Sequence, residues 1–197
     1  MKLLFPFVLL IFGMFYIQIK KSTAKIQSRN NEFWDRELKS NSVPVKNIDN
    51  LDYIIIPYEK LPFIENSSKK ISEYQQNIMS LKDCRILNLN GMSNTDVKLN
   101  YGTINLPKLS EYDENYTRLV NIVDRWSAAL IEEGFTDSAI LLLETMIDAG
   151  CITSRIYLTL AGLYKEKGIN KIDSLIIRAS SSQYIMKDSL IKKLQSL

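Results

Sequence analysis

Histidine is absent from the 197-residue sequence, and cysteine occurs only at Cys84 and Cys151. Without histidine, the common zinc-ligand patterns and any histidine-based triad are excluded. Each cysteine is predicted to be a small buried residue. The alternative is one disulfide between them, if the chain lies in an oxidising compartment. Glycine is scarce, with seven residues, and the glycine motifs that bind phosphates or present a nucleophile do not occur. We therefore expect no cofactor, no metal ion and no enzymatic activity.

The chain also lacks a basic excess beyond its first 21 residues. Its formal net charge is +3, from 25 basic and 22 acidic residues. Lys2, Lys20 and Lys21 lie in that first stretch, and without them the basic residues fall from 25 to 22 and equal the acidic ones. Nucleic-acid binding draws on a basic excess that neutralises phosphates. We therefore expect no nucleic-acid partner.

The longest apolar stretch runs from Leu3 to Ile19, interrupted only by Gln18. As a helix it would rise about 26 Å, which is a short membrane span. We expect residues 1–21 to be an uncleaved transmembrane signal-anchor of a single-pass protein in the cell membrane. A cleaved signal peptide is the alternative, because residues 22–24 are small. Flanking positive charge favours a cytoplasmic position for the rest of the chain.

Residues 22–50 are predicted to form a juxtamembrane helix, from Lys25 to Lys39, and a linker. The segment Leu51–Phe63 contains two prolines among β-branched and aromatic residues, which indicates an extended arm. Such an apolar arm would be covered by lying across a helical surface.

The rest of a mixed region over residues 51–110 is predicted to contain one helix and several non-helical pieces. Serine and aspartate within Ser93–Asp96 indicate a turn. The alternation of apolar and polar residues in Arg85–Gly91 indicates a strand. The predicted pieces are a helix over 69–81, a short strand at Arg85–Gly91, the turn at Ser93–Asp96 and an extended piece at Val97–Leu106.

Positions in the last part of the chain recur 34 residues apart. These positions are Val123, Tyr157 and Ile191; Trp126, Leu160 and Leu194; and Gly134 with Gly168. The apolar residues follow the spacing of three and four that predicts helices, and each glycine suits a helix end. Residues 111–197 are therefore predicted to contain antiparallel helix pairs.

This period resembles that of tetratricopeptide (TPR) repeats. The second copy matches the family pattern most closely, with Tyr157, Leu160, Ala161, Tyr164 and Gly168 at motif positions. The closing proline is missing from both copies, since Cys151 and Ile185 stand there. The expected fold is therefore mainly α, with an N-terminal transmembrane helix, an extended or irregular middle with short strands, and a C-terminal TPR-like array of α-α hairpins.

The TPR resemblance implies a partner groove lined by the first helix of each pair. Its positions here are Asn121, Asp124, Arg125, Ala128, Arg155, Leu158, Gly162 and Lys165. The candidate partner-binding residues are Asn121, Arg125, Arg155 and Lys165. The Lys-Asn clamp by which chaperone-binding TPR proteins hold a carboxylate is absent from these positions.

Three runs also resemble uncharacterised membrane-anchored proteins of Gram-positive anaerobes, and this resemblance implies no activity. They are FWDRE at residues 33–37, NLDYIIIP at 50–57 and NGMSNTDVKLNYG at 90–102. The leading hypothesis is a membrane-anchored TPR-like adaptor that binds another protein and reaches the membrane through its N-terminal helix. The alternative is a permanent structural or accessory subunit of a membrane or envelope assembly.

Overall fold

The computed structural model describes the backbone of residues 4–182 and 184–197 and the side chains of residues 14–182 and 184–197. Eight α-helices lie in this part of the chain: α1 (Leu4–Asn41), α2 (Lys69–Met79), α3 (Asn94–Tyr101), α4 (Leu106–Glu132), α5 (Thr136–Asp148), α6 (Ser154–Lys167), α7 (Ile172–Ser181) and α8 (Lys187–Gln195). Two short 3-10 helices cover Tyr58–Lys60 and Thr103–Asn105. The described residues contain no strand. The mainly helical prediction is confirmed, and the prediction of short strands is wrong.

The predicted transmembrane anchor is also wrong. Helix α1 continues without a break from the apolar stretch into residues rich in charge, from Lys20 to Lys39. In the described residues, no helix is both long enough and apolar enough for a membrane crossing. This finding contradicts the predicted single-pass location in the cell membrane. It also removes the basis for the predicted cytoplasmic position of the rest of the chain, which depended on that anchor. Much of the predicted span at Leu3–Ile19 lies outside the described side chains, which begin at Met14.

The chain divides into two compact units. The first combines Met1–Lys46 with Ser93–Leu106, and the second combines Asn47–Met92 with Pro107–Leu197. In the first unit, α3 packs on the C-terminal part of α1. Thr95 Oγ1 donates a hydrogen bond of 2.7 Å to the Glu37 carboxylate, which also pairs with Lys98. Polar contacts therefore connect α1 and α3.

Helix α3 begins where a turn is predicted. Ser93 is its N-cap, and Ser93 and Asp96 form a capping box with reciprocal side-chain to backbone hydrogen bonds. The residue types that favour turns also favour N-caps. Because α3 and the second 3-10 helix cover most of Val97–Leu106, the prediction of an extended piece there is wrong. The helix ends at Gly102, whose φ of +87° suits glycine and whose added Cβ would lie 2.8 Å from the Pro44 carbonyl oxygen.

In the second unit, the arm Leu51–Phe63 is not helical until Tyr58 and packs against buried helical residues. Ile56 and Leu61 are buried, and the Phe63 ring lies 5.8 Å from the Trp126 ring. The arm therefore covers part of the α4 and α5 core.

The segment Arg85–Gly91 is irregular, contrary to the predicted strand. Its backbone is bonded to different groups in turn: Ile54 N donates to Ile86 O, Leu87 N donates to Tyr112 O, and Leu89 N donates to the Asp113 carboxylate. The alternating pattern reflects real burial of Leu87 and Leu89, with Asn88 and Asn90 exposed. The backbone carbonyl of Tyr112 and the Asp113 side chain, both on α4, supply acceptors that a neighbouring strand would have supplied.

Helix α2 confirms the helix predicted over 69–81 and lies beside α4 in the opposite direction. Lys70 forms a salt bridge of 2.5 Å with Glu132, near the end of α4. At the other end, Arg118 Nη2 donates to Ser80 Oγ at 3.5 Å. Ile71 and Ile78 are fully buried. Because apolar burial is the main stabilising contribution and exposed ion pairs are worth little, these isoleucines hold α2 in place.

Helices α4 to α8, here called the array, show the same environments at positions 34 residues apart. Trp126, Leu160 and Leu194 are at most 1% exposed. Val123 and Tyr157 are equally buried, whereas Ile191 is half-buried. Gly134 and Gly168 both have positive φ. The described array fits a repeat-like helical fold.

Two helices of the array begin differently. Phe135 precedes α5 and makes no side-chain cap bond. Thr153 caps α6 by accepting a hydrogen bond from Ile156 N. Thr and Ser have similar capping chemistry, so with Thr153 and Ser154 adjacent, sequence alone places the start of α6 only to within a residue.

A polar cluster joins α5 to the following helices. Glu144 accepts hydrogen bonds from the Tyr164 hydroxyl and, at 3.0 Å, from Lys171 Nζ. Nearby, Arg178 and Asp148 form a salt bridge of 2.6 Å. The first helix pair is thus tied to the second by charged hydrogen bonds as well as by apolar packing.

Candidate functional site

The four predicted partner-binding residues lie in two groups. Asn121 and Arg125 are exposed on α4 and line the same open pocket. Arg155 lies on α6 and forms a salt bridge of 2.7 Å with Asp124. Lys165, also on α6, donates to the Leu197 carbonyl oxygen at 2.8 Å. The structure therefore brings Asn121 and Arg125 together and gives the other two residues intramolecular partners.

The pocket containing Asn121 and Arg125 lies between α2 and α4 and has a volume of about 320 Å³. Its lining residues are Tyr74, Asn77, Arg118, Asn121, Ile122 and Arg125. Tyr74 and Ile122 are half-buried, and the other four are exposed. The pocket thus combines two guanidinium groups and two side-chain amides with an aromatic and an aliphatic surface. We call it the α2–α4 pocket.

Positive charge in the α2–α4 pocket is not balanced by an acidic lining residue. Within the described part of the chain, neither Arg118 nor Arg125 forms a salt bridge. Arg118 has only long hydrogen bonds, of 3.5 Å, to Asn115 Oδ1 and Ser80 Oγ. The guanidinium N–H groups of Arg118 and Arg125 are therefore available to an anionic ligand. A guanidinium can hold a carboxylate through two parallel hydrogen bonds.

A second pocket of about 320 Å³ lies beside the arm, and its lining includes Asp49, Lys82 and Arg85. Arg85 forms a salt bridge of 3.4 Å with Asp49. The same guanidinium lies 5.3 Å from the centre of the Tyr53 ring. Since Arg85 already has both an anion and an aromatic face beside it, the α2–α4 pocket is the better candidate for binding a charged group.

Sequence reasoning missed four lining residues of the α2–α4 pocket. Arg118 lies seven residues before Arg125, so the two share one helix face, and this spacing is a usable signal. Arg118 was missed because the groove positions implied by the TPR resemblance begin at Asn121, after Arg118. Tyr74 and Asn77 reach the pocket from α2, and only the tertiary packing of α2 on α4 shows that. Ile122, the fourth, neighbours Asn121 but is not among the groove positions that the TPR resemblance implies.

Comparison of the chain with protein-family models, with curated proteins and with solved structures gives no match.

Proposed function

We propose that this protein is a TPR-like interaction module that binds another protein on the α2 and α4 side of its array. The single observation that carries the proposal is the α2–α4 pocket, where Arg118 and Arg125 have no acidic partner among the described residues. A concave site with a few convergent polar groups is the usual form of a recognition site. Binding, with no chemical step, is the role proposed for the site.

The 34-residue recurrence supports the TPR-like part of the proposal. Trp126 and Leu160 occupy equivalent buried positions, and Gly134 and Gly168 follow their helices with positive φ. In such arrays each hairpin packs on its neighbour, and one side of the stack presents the first helices to partners. Helix α4 is a first helix in this scheme, and its exposed residues Asn121 and Arg125 lie on the side proposed to bind.

The position of the arm leaves this side accessible. The arm reaches the core through Ile56, Leu61 and Phe63. It does not line the α2–α4 pocket, and Asn121 and Arg125 stay exposed. An arm lying over these residues would have argued against partner binding there.

Site-specific photo-cross-linking tests the proposal. A photoreactive amino acid is placed at Asn121 and, as a matched control, at Leu141, which is 45% exposed on α5. In cells that express the chain, Asn121 is expected to cross-link to a discrete protein that Leu141 does not capture. Identical products at both positions, or products at neither, would overturn the proposal.

A permanent structural subunit is the second candidate, and exposed aliphatic residues are the observation that favours it. Ile55 is 80% exposed and Ile177 is 69% exposed. Single exposed apolar residues are common on protein surfaces, so this observation carries less weight than the uncompensated arginines. Cross-links from Ile55 and Ile177, together with co-purification in a fixed ratio, would favour the permanent subunit over the module.

A further inference from the structure

We infer that the α2–α4 pocket recognises an acidic segment of the partner protein, in which two carboxylates about 10 Å apart flank an apolar side chain. This inference rests on the proposed function and adds the chemistry of the partner. It follows from the spacing of the two arginines, from the groups between them and from the absence of acidic residues in the lining.

The two arginines are spaced by the helix itself. Arg118 and Arg125 are seven residues apart on α4, so their backbones are about 10.5 Å apart along the axis and differ by only about 20° around it. Asn121 and Ile122 lie between them on the same helix. Two cationic positions are therefore separated by a polar and an apolar position, all opening on one pocket.

This spacing favours two carboxylates over one compact anion. Each planar guanidinium can hold one carboxylate in bidentate geometry. A single phosphate placed at one arginine would leave the other without an ionic partner. A segment whose acidic side chains match the arginine spacing satisfies both at once, and it places its middle side chain over Ile122.

The remaining lining groups suit a polypeptide backbone. Asn77 and Asn121 face the pocket from the two helices, and a side-chain amide both donates and accepts hydrogen bonds. Two such amides can bond the N–H and C=O groups of a segment that lies along the groove. Tyr74 supplies an aromatic surface beside them, with area for apolar contact.

The acidic spacing that this geometry requires can be stated for two backbone forms. In a polyproline-II-like segment, residues three apart lie on one side at about 9 Å. In a helical segment, residues seven apart lie on one side at about 10.5 Å. Acidic residues that are adjacent in sequence fit neither arrangement.

A displayed library of random 12-residue peptides, selected on the purified full chain, tests the inference. We expect enrichment of acidic pairs at a spacing of three or seven with an apolar residue between them. Selection on Arg118→Glu/Arg125→Glu is expected to enrich basic residues at those places. The matched control is Lys192→Glu/Lys193→Glu, which makes the same change in net charge on exposed residues of α8 and should enrich the same acidic pairs as the wild type.

Fluorescence polarisation of the enriched peptide then gives the size of the effect. Each arginine reversal is expected to weaken binding about tenfold or more, as for loss of a charge-assisted bond of about 1.4 kcal/mol. The control double variant should bind within about twofold of wild type. If circular dichroism shows that the arginine reversal prevents folding, Arg118→Gln/Arg125→Gln replaces it, and this variant is also expected to bind the peptide more weakly than wild type.

Three results would overturn the inference. One is a lack of any preference for spaced acidic pairs, and another is equal weakening by the α4 and α8 reversals. The third is tighter binding of a peptide with one phosphoserine than of the two-acid peptide, which would assign the pocket to phosphate. A partner cross-linked through Asn121 in any of these cases would leave the proposed function standing while this inference fails.

Discussion

Two neighbouring leucines on α5 provide a matched test of how the array packs. Leu142 is 0% exposed, whereas Leu141 is 45% exposed. Truncation of a fully buried leucine to alanine costs about 3 kcal/mol or more, because apolar burial is lost and a cavity remains. Leu141→Ala should cost about 1 kcal/mol or less, because a half-exposed leucine loses about half the transfer free energy. The expected difference is about 2 kcal/mol between adjacent residues.

Urea unfolding followed by tryptophan fluorescence measures this difference. The chain has two tryptophans: Trp34 in the first unit, which is 57% exposed, and Trp126 in the second, which is buried. A Trp34→Phe background leaves Trp126 as the reporter of the second unit. With a slope of about 2 kcal/mol per molar urea, the midpoint should fall about 1.5 M for Leu142→Ala and about 0.5 M for Leu141→Ala.

Equal costs for the two substitutions would refute the reasoning, since the phase of α5 against α4 and α6 would then be wrong. A negligible cost for both would mean that α5 does not pack on the core in solution. A changed slope for Leu142→Ala alone would show a third state, and the comparison would then use hydrogen exchange of α5 amides.

Two further predictions concern titratable groups. Burial raises the pKa of Glu144, but hydrogen bonds from Tyr164 and Lys171 outweigh it and hold the pKa below its ordinary value of 4.5; its stabilisation is therefore present above pH 4.5 and is lost as pH falls through the lower folded value. Glu144→Gln should cost about 1 kcal/mol at pH 7, and the difference in urea midpoint between wild type and variant should be smaller at pH 3 than at pH 7. Glu166→Gln, at an exposed position, is the control. A difference for Glu144→Gln that is the same at both pH values would contradict the prediction. Burial raises the pKa of Cys151 to about 12, so a disulfide-exchange thiol reagent should modify only the partly exposed Cys84 in the folded chain; reaction of both thiols at similar rates before denaturation would contradict this.

The helices of the array could be predicted because their signals are local. Val123, Trp126 and Leu130 follow the three and four spacing and are all buried on α4. Gly168 is predicted to end α6 and has left-handed backbone angles there. Such signals lie within one helix and its end, and they do not depend on distant partners.

The middle of the chain was harder because its signals have more than one structural meaning. Ser93 and Asp96 suit both a turn and a capping box, and the helix that follows them decides between the two. Alternating burial at Leu87 and Leu89 occurs without a strand. The Tyr112 carbonyl and the Asp113 carboxylate, both on α4, accept hydrogen bonds from the backbone N–H groups of these two residues. The correct reading depends on contacts with residues more than 20 positions away.

The candidate site shows the same division. Asn121 and Arg125 were predicted from the TPR resemblance, which places them on the partner-facing side of one helix, and both are exposed in the structure. Arg155 was placed with them, but its salt bridge with Asp124 depends on the side-by-side packing of α4 and α6. Tyr74 and Asn77 could be found only from the position of α2. Surface exposure is therefore readable from sequence, whereas charge compensation requires the structure.

Helix α2 and the arm together explain why the pocket forms at this end of the array. A repeat stack needs its first hairpin covered on the outer side, because each repeat buries its apolar face only against a neighbour. Here Phe63 packs on Trp126, and Ile71 and Ile78 of α2 are buried beside α4. The cover therefore supplies one wall of the α2–α4 pocket, so the partner binding proposed for Arg125 requires a docked α2. A ligand that bridges the two helices would in turn stabilise that docking by mass action.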